Sequence, residues 1–74
     1  MKFVIKDEIR GRMRVRVKQN EMTCREADIL QYYFDAQECV TKVKVNERVN
    51  DVVICYSGSR SHVIKLLQQF NYKN

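Results

Sequence analysis

The chain has 74 residues, of which 45% are hydrophobic and 31% charged, and its net charge is +5. This length limits the chain to one domain, residues 1–74, with room for one sheet backed by a few helices. The composition excludes a disordered tail. No apolar run approaches the roughly 18 residues that span a bilayer, so we expect the isolated domain to be soluble. Three cysteines without a CxxC pair indicate reduced thiols.

The first half of the chain predicts strands followed by a helix. Residues 2–6 are typical of a short strand, and Gly11 marks a bend after it. Residues 12–18 alternate strictly between basic and hydrophobic side chains, which is the pattern of a half-buried strand. Thr23 and Glu26 have the spacing of a capping box, which predicts a helix from Cys24 to about residue 37.

The second half predicts two more strands and a second helix. Residues 40–46 alternate again, and residues 52–56 are apolar and largely β-branched, which suits a central strand. We expect Ser61 to cap a helix that buries Val63, Ile64, Leu67 and Phe70.

This order of elements predicts an α+β fold. A βαββα core is one strand short of a ferredoxin-like βαββα(β) sandwich, in which an antiparallel sheet carries two helices on one face. Residues 2–6 fill the missing edge position if they fold back as a hairpin around residues 8–11. One long bent strand fits the sequence equally well.

Several motifs then occur in an order that resembles heavy-metal-associated domains. Met22-Thr23-Cys24 opens the first helix, and the chain continues with a V-x-x-V-x-V-N strand over residues 40–46 and a strand that ends in Tyr56. Residues 11–15 resemble the G-R-x-R-x opening of a divergent branch that often lacks CxxC. That branch lies at the N-terminus of bacterial heavy-metal-translocating P-type ATPases. The resemblance implies a non-catalytic domain on the cytoplasmic side of the cell membrane, as part of a larger cation pump.

Cys24 is the best candidate for a metal ligand. Thiolates bind soft or borderline ions such as Cu(I), Zn(II) or Cd(II). The family pattern places a second cysteine three residues later, where this chain has Ala27, so we expect any ion to bind weakly. The alternative is that Cys24 has no metal role. We interpret Cys39 and Cys55 as structural residues, and we expect His62 to be a solvated surface residue.

A basic stripe is the second candidate site, because one sheet face collects the outward side chains of two strands. We expect this face to dock on the remaining domains of a parent ATPase or on an anionic membrane surface. Nucleic acid is disfavoured because the central strands lack outward aromatic rings for stacking bases, and no small-molecule substrate is indicated. The alternative is a face that is basic only to stay solvated. The stripe consists of Arg12, Arg14, Arg16, Lys18, Lys42 and Lys44.

The chain shows no catalytic motif, neither paired carboxylates, a Cys-His pair nor a glycine-rich phosphate loop. The sequence therefore predicts a regulatory or docking domain of a heavy-metal pump with a degenerate metal site. The alternative is a free-standing adaptor of the same fold that binds metal, protein or nucleic acid.

Overall fold

The computed structural model describes residues 1–73, and over that range the chain forms four strands and two helices. In chain order they are β1 (Phe3–Ile9), β2 (Arg12–Val17), α1 (Cys24–Asp35), β3 (Val40–Asn46), β4 (Asp51–Tyr56) and α2 (Arg60–Gln69).

The strands form one antiparallel sheet in the order β1-β2-β4-β3. β2, α1, β3, β4 and α2 make the split βαβ arrangement of the ferredoxin-like fold. β1 fills the remaining edge position, and it comes from the N-terminal side as a hairpin with β2. The predicted α+β ferredoxin-like class is confirmed, and the long bent strand is wrong. Arg10 and Gly11 form the turn, where Gly11 has a φ of +79° that other residues adopt at a cost.

A bulge in β1 decides which side chains of this strand lie beside the basic strand β2. Ile5 pairs with Val15 and Asp7 pairs with Arg14, so Lys6 is the extra residue. An unbroken register would have placed Lys6 opposite Arg14. The bulge therefore replaces a repulsive pair with one of opposite charge, which favours this register.

The core lies between one face of the sheet and the two helices. β2 contributes Met13, Val15 and Val17, as its period-two pattern predicts, and β4 contributes Val52, Ile54 and Tyr56. The helices bury the following residues against them: Ala27, Leu30, Phe34, Val63, Leu66 and Leu67. The opposite face of the sheet carries no helix, and we refer to it as the open face.

Helix α1 begins as predicted, but the predicted start of α2 is wrong. Thr23 is the N-cap of α1 and forms the capping box with Glu26. Ser59, not Ser61, is the N-cap of α2, and its side chain makes no capping hydrogen bond. Phe70 is buried but follows the helix as its C-cap. Within the described residues, no helix is both long and apolar enough to cross a membrane.

Candidate functional site

The register of the sheet arranges the open face in three rows that run across the strands. We name each row after its β2 residue, and within a row the strands follow the order β1, β2, β4, β3. The Arg12 row is Ile9, Arg12, Cys55 and Lys42; the Arg14 row is Asp7, Arg14, Val53 and Lys44; the Arg16 row is Val4, Arg16, Asp51 and Asn46.

Asp51 is a buried carboxylate at the start of β4, and the Arg16 row is built around it. Its side chain is 7% exposed. Arg16 donates to it from Nε at 2.8 Å and from Nη2 at 3.4 Å, and Arg14 donates from Nη1 at 3.3 Å. The hydrogen bonding of Arg16 to Asp51 and the negative charge of Asp51 raise the pKa of Arg16 above its ordinary value. Two of the six basic residues are therefore committed to an internal ion pair.

The other basic residues have no acidic partner of this kind. Arg12, Lys42 and Lys44 make no ion pair within 4.0 Å with a carboxylate of residues 1–73. Lys42 and Lys44 lie on β3, across β4 from the arginines. Lys18 is exposed beyond the end of β2. The structure therefore brings together four members of the predicted stripe and leaves Arg16 and Lys18 at its margin.

These side chains surround a shallow cavity of about 400 Å³, which we call the basic basin. Val53 and Cys55 are half-buried on β4 and lie between the arginines of β2 and the lysines of β3. No aromatic ring is among the residues that line the basin. An anion that enters would meet cations on two sides and a small, mostly apolar floor. The lining consists of Arg12, Arg14, Lys42, Lys44, Asn46, Asp51, Val53 and Cys55.

The loop before α1 is held by hydrogen bonds that leave few groups for a metal. The backbone N–H of Thr23 donates to Glu26 Oε1 at 3.0 Å, and Gln19 donates to the same oxygen at 3.3 Å. Thr23 Oγ1 accepts from the N–H of Glu26 at 3.0 Å. Met22 is only 5% exposed and packs in the core. Asn50 holds the loop from the β3–β4 turn by accepting from the N–H of Met22 at 3.1 Å.

Cys24 is an exposed free thiol at the first position of α1. The residue one turn later, Ala27, is 8% exposed and supplies no donor atom. Among residues 1–73, no three side chains of His, Cys, Asp or Glu are grouped so that they could hold an ion. The residues present do not fit a closed site for Cu(I), Zn(II) or Cd(II), because a soft ion needs further donors beside a single thiolate.

Cys39 and Cys55 are both half-buried free thiols. Cys39 packs against the edge of the core, as its structural interpretation predicts. Cys55 lies on the open face, on the side of β4 opposite to the buried Ile54 and Tyr56, and it forms part of the basin floor.

Sequence reasoning missed Asp51 and Asn50. Asp51 begins a strand whose other residues are apolar, and an acidic residue at a strand end is ordinary. Its role depends on the register that places it opposite Arg16. Asn50 has a φ of 59°, and asparagine is common in this left-handed region. Its position between a polar turn and a strand was the available signal.

No family model matches the chain, and no curated protein or solved structure matches it either.

Proposed function

We propose that this chain is a regulatory docking domain of a heavy-metal-transporting P-type ATPase, in which the paired-cysteine metal site has degenerated. The basic basin makes the contact, and an acidic surface of the pump is its partner. The domain itself has no catalytic role, and it acts by changing how freely the rest of the pump moves.

The observation that carries the docking function is the concentration of unpaired cations on one side of the sheet. Arg12, Lys42 and Lys44 lie on the open face without an internal acidic partner among the described residues. Charged side chains of one sign around a concavity attract and orient a partner of opposite charge. The helix layer covers the opposite face of the sheet, so the open face is the side of the sheet that a partner can contact.

The assignment to a heavy-metal pump is supported by the ferredoxin-like order of elements together with the Met22-Thr23-Cys24 loop at the start of α1. Ala27 stands inward at the position where the family pattern has a second thiol. A domain that keeps the loop but lacks the second donor would regulate transport through contact and not through loading with metal.

The first test is the reading frame beyond residue 74. The proposal expects apolar segments that cross the membrane and the phosphorylated-aspartate motif of a pump. A stop codon at this point would favour the free-standing adaptor.

The second test uses the full-length pump. The double reversal Arg12→Glu and Lys42→Glu should change metal-stimulated ATP hydrolysis, because both side chains are exposed and neither holds Asp51. The matched control is Arg25→Glu with Lys65→Glu, which changes the same charges on the exposed surface of α1 and α2. Equal rates for the wild type and both variants would contradict docking through the basin.

Metal binding has its own test. Titration of the reduced chain with Cu(I) or Zn(II) should give no submicromolar one-to-one complex. Such a complex, if abolished by Cys24→Ser, would show that the thiol site is functional.

A further inference from the structure

The three rows of the open face differ in a way that a general basic surface does not explain. In the Arg16 row, the β4 position is the carboxylate of Asp51, and its β3 neighbour is the neutral Asn46. In the other two rows, the β4 position is Val53 or Cys55, which carry no carboxylate. The lysines of β3 occur only in these two rows.

We propose that the basic basin binds an extended acidic peptide segment, with carboxylates two residues apart lying above Val53 and Cys55. Each carboxylate would take the position over β4 that the side chain of Asp51 takes in its own row. The inference rests on the proposed function for the identity of the partner, which is an acidic segment of the pump. It adds the conformation and spacing of that segment.

The spacing of the sheet matches such a ligand. Successive rows are about 7 Å apart, because each residue of a strand rises about 3.4 Å and the rows are two residues apart. Side chains at alternate positions of an extended peptide repeat at the same distance. Across the sheet, strands lie about 4.8 Å apart, so the arginine and lysine of one row stand about 10 Å apart with β4 between them. Both long side chains can converge on one carboxylate over the central strand.

The internal pairing of Asp51 shows how arginines on this face can hold a carboxylate. Arg16 donates hydrogen bonds to the two carboxylate oxygens of Asp51 through Nε and Nη2, and Arg14 donates a third. A guanidinium suits this planar, two-point recognition of a carboxylate. The Arg12 row has the same cation on β2 and a second cation on β3, but none of its four residues is acidic. The Arg12 row is therefore the one whose positive charge is least balanced and where an external carboxylate would be most favourable.

The concave shape favours a peptide over a membrane surface. The floor of the basin is half-buried below the basic side chains, so a flat bilayer would meet only the tips of those side chains. A peptide side chain can enter and cover Cys55. The lining has no ring on which a base could stack, which disfavours single-stranded nucleic acid.

Cys55 makes the proposal measurable in the unmodified chain. The reduced protein is alkylated with N-ethylmaleimide at physiological salt, and the rate at each cysteine is followed by mass spectrometric peptide mapping. The probe is a synthetic peptide that alternates glutamate with serine. Its isomer has the same composition but adjacent glutamates, which point to opposite sides of an extended chain. Cys24 is exposed at the start of α1 and serves as the internal control.

We expect the alternating peptide to slow alkylation of Cys55 about sixfold when its concentration is about five times its dissociation constant. The rate at Cys24 should stay unchanged, and the isomer should give little protection. The double reversal Arg12→Glu and Lys42→Glu should weaken peptide binding about tenfold, because two exposed charge pairs become repulsive. The control Arg25→Glu with Lys65→Glu should retain the protection, measured as the ratio of rates with and without peptide.

Equal protection by the isomer would overturn the proposed spacing and leave only general charge attraction. Protection by phosphatidylglycerol vesicles or by a single-stranded oligonucleotide, without protection by the alternating peptide, would assign the basin to lipid or nucleic acid instead. No protection by any probe would overturn the site. If the peptide protects Cys55 but the double reversal leaves pump activity unchanged, the peptide site is retained and the pump is refuted as its partner. If the peptide gives no protection but the double reversal changes pump activity, only the inference of a peptide site is refuted.

Discussion

The ion pairs of Asp51 offer the sharpest test of how the open face is held together. We consider Asp51→Asn, which keeps the size of the side chain but removes its charge. The carboxylate is 7% exposed and accepts three hydrogen bonds from Arg14 and Arg16. Asparagine retains one oxygen acceptor, so it keeps part of this network and loses the charge that balances two guanidinium groups.

The cost follows from the geometry of these contacts. A hydrogen bond to a charged group contributes about 1.5–3 kcal/mol, whereas an exposed ion pair contributes about 0.2–1 kcal/mol. Only the contact between Arg16 Nε and Asp51 is short, at 2.8 Å, and the arginine side chains are 40% and 42% exposed. We therefore expect Asp51→Asn to lower the free energy of unfolding by about 2 kcal/mol.

Urea denaturation followed by far-ultraviolet circular dichroism measures this loss. With a slope of about 1 kcal/mol per molar urea for a chain of this size, the midpoint should fall by roughly 2 M. Asp7→Asn is the matched control, because Asp7 is exposed in β1 opposite Arg14 and forms no ion pair within 4.0 Å in the described part of the chain. Equal losses for both variants, or a loss below about 0.5 kcal/mol for Asp51→Asn, would refute this account of the Arg16 row.

Three further predictions concern α1 and the end of the chain. Thr23→Ala removes the capping box and should cost about 1 kcal/mol in urea denaturation, whereas Thr23→Ser should cost little. Burial raises the pKa of Tyr72 to about 12, so the unfolded state loses this proton first and stability should fall between pH 10 and 12. The contribution, discounted for partial exposure, is about 1 kcal/mol, and a Tyr72→Phe variant with the same alkaline loss would exclude it. Ala27→Cys places a second thiol one turn after Cys24 and should raise Cu(I) affinity at least about 100-fold in a competitive titration; unchanged affinity would mean that more than this donor has been lost.

Patterns within single elements were sufficient to predict most of the fold. The alternation of basic and hydrophobic residues in β2 identified both its buried and its open side. Thr23 and Glu26 located the start of α1 because a capping box is a local interaction between residues three apart.

The start of α2 and the role of β1 could not be predicted in the same way. Ser59 and Ser61 are both of a residue type that commonly caps helices. Neither is followed three residues later by a glutamate that would complete a capping box and distinguish it. For β1, a hairpin and a bent strand have the same local pattern. The bulge that makes Lys6 the extra residue is a feature of the pairing with β2, in which Asp7 and not Lys6 lies opposite Arg14.

The candidate site was predicted as a list of basic residues but not as an arrangement. Five of the six residues lie on the outward side of their strands and Lys18 lies just beyond the end of β2, yet the five differ in what they do. Arg14 and Arg16 bind Asp51, whereas Arg12, Lys42 and Lys44 make no such pair with the residues described. This division depends on which residues of β2, β4 and β3 stand opposite one another, and strand register is a long-range property.

Both edge strands contain an extra residue, Lys6 in β1 and Thr41 in β3. Each interrupts the regular series of backbone groups along its outer edge. A strand of another molecule that approached either edge could form hydrogen bonds on one side of the bulge only, because its own register would fail at the extra residue. The same irregularities that set which charges stand side by side therefore also disfavour the pairing of a second molecule with either edge of the sheet.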